Sequence, residues 1–346
     1  MCPEETKVGR RIEYIDIAKA LGIILVIAGH AVSSDTEIKR ILYSFHMPLF
    51  FMLSGMLLKP KATYDYVTWK TLAVKKLKML MLPYFIWALV YSSFSFKHFA
   101  FIAYGTRETL ICAGSLTSLW FLPVMFLAFL YAETVLAVSS KAPKYRTAAV
   151  IAGIAACFLI GFILPHNGTY GNPWGLDVAF IAAAFMLLGM LVRRGTDQIN
   201  KPAFMAAAAV IACAAFICVV RFSSSPVGYV LMANGEYGNP LVFLVNAVTG
   251  SMLVIMISRL ISTLLRKTGL LQWIGSRTLG IFVVHKPIVE LGRSITKKAG
   301  ISYDNPGIVI IITLITLAVS GVIVLLIEHI IPEIIGLKNK TDKKRH

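Results

Sequence analysis

The sequence predicts an all-α membrane protein, a single polytopic bundle of about ten transmembrane helices. Three observations carry that prediction. Hydrophobic residues make up 57% of the chain and charged residues 15%, with a mean hydropathy of +0.75, whereas roughly a quarter of a soluble domain is charged. Apolar runs near the ~20 residues needed to cross a bilayer recur from end to end. The runs are continuous rather than alternating, which argues against a transmembrane β-barrel.

Taken in order, spans are expected at about 13–32, 39–58, 77–96, 118–138, 147–164, 175–192, 202–220, 239–259, 273–291 and 306–331. Each is bounded by charge or by Gly/Pro/Asn punctuation such as "LPHNGTYGNPWG" and "ANGEYGNP". Ahead of the first span "KVGRR" imitates a signal peptide. Asp16 and Lys19 interrupt the apolar stretch, however, and "GHAVSS" is a poor cleavage site, so this helix is expected to be retained. With the N-terminus in the cytoplasm, 23 Lys and Arg fall in cytoplasmic segments and 8 in outer ones. This bias places both termini inside, with a basic tail at about 337–346. The net charge of +17 then reflects topology and contact with membrane lipid, not nucleic acid. There is no tandem repeat and no appended soluble domain, so residues 1–346 are read as one integral-membrane domain. The five cysteines (Cys2, Cys112, Cys157, Cys213, Cys218) show neither disulfide nor metal-ligand spacing.

The first span holds the main chemical signal. Lys19 and His30 are eleven residues apart, about three helical turns, so both lie on one face roughly 16 Å apart. Asp16 is placed to pair with Lys19. Ionisable groups in a span are costly and tend to face a cavity or pathway; the competing reading is a snorkelling lysine and a histidine that bridges helices. In the second span "FHMPLFFMLSG" sets His46 about two turns in, with Pro48 freeing a carbonyl in the preceding turn. In the ninth, "TLGIFVVHKPIVE" sets His285 near the same depth. Three histidines from three spans, all in the outer half, predict a polar cavity there. "NPWGLD" stands at the mouth of the sixth span and offers Trp174 and Asp177, the latter equally suited to cap that helix. On the inner side "KTLAVKKLKMLMLPYF" supplies Lys70, Lys75, Lys76 and Lys78. They either fix topology and bind lipid headgroups or, as a group, hold a polyanion such as a phosphate ligand.

Together "IDIAKALGIILVIAGH", "FHMPLFFMLSG", the basic run ending "LPYF", "SLWFLP" and "LGIFVVHKPI" resemble, in order and over essentially the whole chain, the membrane acyltransferase-3 family. Within that family the chain resembles the branch of fucose 4-O-acetylase and related bacterial sugar O-acetyltransferases. The family signature, a basic residue and a histidine with ten residues between them in the first span, is met by Lys19 and His30. Where many members have arginine, at that first position and before the third span, this chain has lysine. The resemblance implies an enzyme of the bacterial cytoplasmic membrane that modifies the cell envelope. It would move an acyl group, acetyl by resemblance, from cytoplasmic acetyl-CoA to a hydroxyl of a carbohydrate or glycolipid at the outer face. Lys19, Lys75, Lys76 and Lys78 would hold the anionic donor. His30 would act as general base, with a covalent acyl-histidine as the alternative. His46 and Asp177 are the expected catalytic partners; Trp120, His285 and Trp174 the expected acceptor contacts. At the outer end of the fourth span an interfacial anchor is the default reading of Trp120, and an aromatic face against a sugar also fits.

A transporter or flippase for a sugar or lipid-linked sugar is the rival reading; it predicts internal symmetry and broken helices in matching halves, and no such symmetry is visible. A sensor or scaffold leaves the three histidines unexplained. No H-E-x-x-H spacing occurs, and no metal is expected. No oligomeric state is readable.

Overall fold

The structure is a computed structural model that describes residues 12–34, 36–166, 168–199, 201–222, 228–302 and 304–337. Apart from Leu337, the expected basic tail lies outside them, as do the cations of the N-terminus. Fifteen α-helices form among the described residues: α1 (Glu13–Ala31), α2 (Glu37–Tyr43), α3 (His46–Met56), α4 (Tyr66–Lys76), α5 (Leu82–Tyr91), α6 (Phe99–Tyr104), α7 (Arg107–Cys112), α8 (Phe121–Ser140), α9 (Arg146–Ile163), α10 (Leu176–Thr196), α11 (Pro202–Val220), α12 (Pro240–Leu264), α13 (Gly269–Ser276), α14 (Thr278–Lys298) and α15 (Pro306–Ile330). The Asn-Pro pairs start two of them. Asn239 accepts from the backbone of Leu241 and Val242, and Asn305 from that of Gly307, with the following proline at a first-turn position whose N–H needs no partner.

Among the described residues seven helices are long and apolar enough to cross a membrane: α1, α11, α12 and α15, together with α8, α9 and α10 extended back to Thr117, Pro143 and Pro173. They match expected spans one, four to eight, and ten. The other three expected spans fall short for different reasons. The second is not a kinked helix but a broken one. It parts at Ser44 and Phe45 into α2 and the eleven-residue α3, which at about 1.5 Å per residue covers only half a bilayer. Pro48 therefore sits in the first turn of α3 and not inside a longer helix. The third contains a π turn, Leu77–Met81, between α4 and α5. The ninth is divided at Arg277 into α13 and α14, and α14 carries Lys286, Glu290, Arg293, Lys297 and Lys298.

α1 occupies the centre, packed on α3, α12, α13, α14 and α15. α10 packs on α3, α8 and α9. The α3–α10 crossing is closed by two glycines. A Cβ on Gly55 would strike the Met186 carbonyl and one on Gly189 would strike the Met52 carbonyl, the close backbone approach that small residues permit between membrane helices. α9, α11 and α15 instead display Ile151, Leu159, Ile163, Phe204, Val210, Ile211, Ile310, Leu314 and Leu326 on the outside. An apolar surface of that extent suits hydrocarbon, not water. At the N-terminal end of α1 the Tyr14 hydroxyl and the Arg259 guanidinium both donate to Asp197 Oδ1, at 2.9 and 3.2 Å, which joins α1, α10 and α12.

Candidate active site

The two ends of α1 open onto two different cavities. Lys19, ion-paired with Asp16 at 3.4 Å, lines a cavity of about 600 Å³ on its own face of the bundle, and His30 lines one of about 240 Å³ towards the other face. α1 is one helix that carries both residues, and the two cavities have a lining residue in common. Phe282 is wall to both cavities. Its ring lies 5.2 Å from that of Phe121, and Phe121 lies 5.1 Å from Phe51. Phe121 lines the Lys19-side cavity beside Phe282, and Phe51 packs behind it.

On the Lys19 face, α13 can press against α1 because a Cβ at Gly275 would meet the Asp16 carbonyl. The wall carries Lys19, Lys59, Lys61, Lys75, Lys76 and Arg277, with Glu133 as its carboxylate. Lys76 Nζ sits 3.2 Å from the centre of the Phe129 ring, and Glu133 accepts from the Tyr64 hydroxyl at 2.9 Å. Arg277 is held by Glu328 through two bonds of 2.7 and 3.1 Å. The π turn that follows α4 leaves Lys78 exposed and outside the cavity wall. Lys70 does not line it either.

On the His30 face, His30, His46, Trp120 and Phe282 share the wall with Lys39, Tyr43, Arg107, Thr117, Ser118, Tyr229 and Lys286. The break between α2 and α3 builds this side. It turns Tyr43 towards His30 (hydroxyl to Nδ1, 3.4 Å) while its ring lies 4.7 Å from that of His46. His46 Nδ1 donates to the Leu42 carbonyl at 2.7 Å. His285 stands behind His30, ring centroids 5.3 Å apart, and its Nδ1 donates to the Phe282 carbonyl at 2.7 Å. A carbonyl can only accept, so in the neutral rings of His46 and His285 Nε2 is the lone-pair nitrogen. His285 Nε2 is buried and has no hydrogen-bond partner among the described residues. Just beyond, Pro287 interrupts α14 and frees the Val283 carbonyl, which accepts from the Tyr91 hydroxyl at 3.0 Å. Trp120, 9% exposed, belongs to the cavity wall and not to a lipid-facing belt.

Two expected partners stand apart. Asp177 does not line the His30 cavity. The loop before α10 folds His166 back onto it, Nδ1 to Oδ2 at 2.9 Å, so the carboxylate, in the first turn of α10, meets His166 and not His30. Trp174, at a left-handed φ of 56°, donates from Nε1 to the Ala103 carbonyl at 2.7 Å and is likewise outside that wall. Sequence reasoning did not single out Lys39, Tyr43, Arg107 and Tyr229, which come from three segments (α2, α7 and the loop before α12) that only the fold assembles; the one available signal was Lys286, adjacent to His285 and itself charged within an expected span. Among the described residues no group of three or more His, Cys, Asp or Glu is placed to hold a metal ion.

A family model described as "Acyltransferase domain", the membrane acyltransferase-3 family, matches residues 12–325. No curated protein and no solved structure matches the chain.

Proposed function

The chain belongs to the membrane acyltransferase-3 family, and on that footing we propose that it transfers an acetyl group from cytoplasmic acyl-CoA to a hydroxyl of a carbohydrate or glycolipid at the outer face, with His30 as general base. The observation that carries this reading is the shared wall at Phe282: a cationic chamber on the Lys19 face and an imidazole-lined chamber on the His30 face meet at one side chain. The Lys/Arg bias of the loops supports a cytoplasmic Lys19 face, the side on which acyl-CoA is found.

The Lys19-side residues fit such a donor. Lys19, Lys59, Lys61, Lys75 and Lys76 present point charges suited to phosphates, and Met79, Leu80, Met125 and Phe129 give the same cavity an apolar lining. Bound acyl-CoA would supply the activated carbonyl carbon and a sulfur leaving group. His30 would take the acceptor hydroxyl proton, as a neutral imidazole can near neutral pH, and return it to the departing sulfur. His285, with Nε2 as an acceptor, would hold the His30 ring as it gains that proton. His46, Tyr43 and Trp120 would place the acceptor. A transporter is not favoured, since the family it would have to belong to is one of acyltransferases.

The test is acyl transfer from labelled acetyl-CoA to membrane glycolipid or periplasmic glycan by wild type and H30A, with insertion of both verified. Undiminished transfer by H30A removes His30 from the mechanism. Mass spectrometry of surface glycans with and without the gene should show one ester mass lost.

A further inference from the structure

We infer that the acceptor carries a negatively charged group, a phosphate or a carboxylate, held in the His30-side cavity by Lys39, Arg107 and Lys286. This rests on the transferase reading above and names the class of acceptor it would take.

Three cations line a chamber of only about 240 Å³, and among the described residues no Asp or Glu lines it. Their compensation is incomplete. Arg107 is paired with the adjacent Glu108, which Asn234 also engages at 2.9 Å. Lys286 bonds to the Thr117 hydroxyl, and its nearest carboxylate, Glu290, is 3.9 Å away. Lys39 is 8% exposed and has no ion pair among the described residues. Its Nζ lies 4.9 and 5.0 Å from the ring centres of Tyr43 and Tyr229, contacts that stabilise a cation but do not neutralise it. Burial, and after it the charges of Arg293, Lys286 and Arg107, pull the Lys39 pKa down to about 8. Like charges are thus concentrated in a small, partly buried cavity at a cost that an anion would offset.

A second observation points into the same space. Ser118 lines the cavity, and its buried Oγ has no hydrogen-bond partner among the described residues. A hydroxyl beside cations is what an oxyanion would bond. Stabilising one developing oxyanion during transfer would need one cation, not three. The chamber is smaller than the ~300 Å³ at which drug-sized pockets begin. It is therefore matched to about one sugar ring with its charged substituent, the aromatic faces of Tyr43, Tyr229 and Trp120 being available to the ring.

The test is equilibrium binding to the full chain in detergent, with methyl glucoside, glucose 1-phosphate and glucuronic acid as probes. Thiol release from acetyl-CoA is measured separately on the same preparations. Glucose 1-phosphate or glucuronic acid should bind at least tenfold more tightly than methyl glucoside. K39M, R107Q and K286M should each weaken the charged probe by about tenfold to a hundredfold, the size expected of one lost charge-assisted hydrogen bond. K39R and K286R should retain most of the affinity, which separates lost charge from lost fold. Preference for glucose 1-phosphate with displacement by dodecyl phosphate supports a lipid-linked phosphate acceptor; preference for glucuronic acid supports a uronic acid. Equal binding of neutral and charged probes, with thiol release intact, overturns the inference and leaves the transferase reading standing. Charged-probe binding with no thiol release for any acceptor does the reverse. A need for the three cations with succinyl-CoA but not with acetyl-CoA would move the charge to the acyl group and also overturn it.

Discussion

The imidazoles of His30 and His285 stand with centroids 5.3 Å apart, and the inner ring is fixed by its Nδ1–H on the Phe282 carbonyl. One histidine faces the cavity and the other is wholly buried behind it. The pair is asymmetric: of the two, His30 lines the cavity and His285, the expected acceptor contact, does not, its Nδ1–H being held instead by a backbone carbonyl.

That asymmetry separates their mutants. H30A should lower transfer by roughly 10²–10⁴, the usual contribution of a positioned general base. H285A should lower kcat by about tenfold with little change in KM for acyl-CoA, because it touches no substrate, and H285N, which keeps a polar group there, should recover part of the loss. Steady-state kinetics with labelled acetyl-CoA checks both; a change confined to KM in H285A would contradict a positioning role.

Phe282 should control coupling between donor and acceptor. F282L shortens the side chain both cavities share while keeping an apolar filling, and F282A would add a cavity penalty of about 3–5 kcal/mol. In F282L water should reach the thioester more readily, so more thiol should be released per ester formed. The ratio of free thiol to glycan ester, read from the same reaction, reports this directly. An unchanged ratio would mean that Phe282 is a wall and not a gate.

Donor binding should depend on the lysines that line the cavity and not on their neighbour. The double variant K75A/K76A should raise KM for acyl-CoA about tenfold and flatten its dependence on salt, since fewer phosphate contacts remain to be screened. K78A should stay within about twofold of wild type: Lys78 is exposed and outside the wall.

The α3–α10 crossing predicts a stability effect remote from any chemistry. G55L or G189L places a side chain against a backbone carbonyl. Because the opposing helix must move, the loss should be at the upper end of the ~1–3 kcal/mol usual for overpacking, or beyond it. Thermal unfolding in detergent, followed by size-exclusion fluorescence, should show a clear fall in Tm for both, whereas an alanine at Gly195, which has open space around it, should leave it nearly unchanged.

Much of this fold is readable from local pattern, because a long apolar helix in lipid is specified by length and composition alone. The Lys19–His30 stripe is readable for the same reason: helical pitch relates the two without any tertiary knowledge. The break at Ser44 and Phe45 is not, since "YSFHM" continues an apolar run and the bend depends on what α2 and α3 pack against. Asp177 shows the opposite failure. It lies beside a promising motif, but its partner His166 reaches it only after the intervening loop turns back. Lys39, Arg107 and Lys286 are far apart in the chain, and nothing short of the assembled bundle puts them around one cavity.

The charge of Lys39 yields a pH dependence with a definite sign. α2, on which it lies, is short and polar and is not one of the spanning helices. Burial and the charges of Arg293, Lys286 and Arg107 lower its pKa to about 8, with Asp304 acting the other way; burial pushes the neighbouring Tyr43 phenol up, out of the range where it would titrate. Below about pH 8 Lys39 is an ammonium and above it a neutral amine. Glucose 1-phosphate is already a dianion throughout pH 7–9.5, since the second phosphate pKa is near 6. If Lys39 holds the charged group, affinity should be full at pH 7 and fall as pH rises through about 8 to 9, approaching tenfold per pH unit for a single proton. A bound anion favours the ammonium, so the midpoint should lie somewhat above 8. K39R, which keeps its charge, should hold its affinity from pH 7 through 8.5, where the wild type already falls, and K39M should be weak with no fall over that interval. Calorimetric titration at four pH values separates these outcomes; a wild type that shows no fall by pH 9.5 would place the anion away from Lys39.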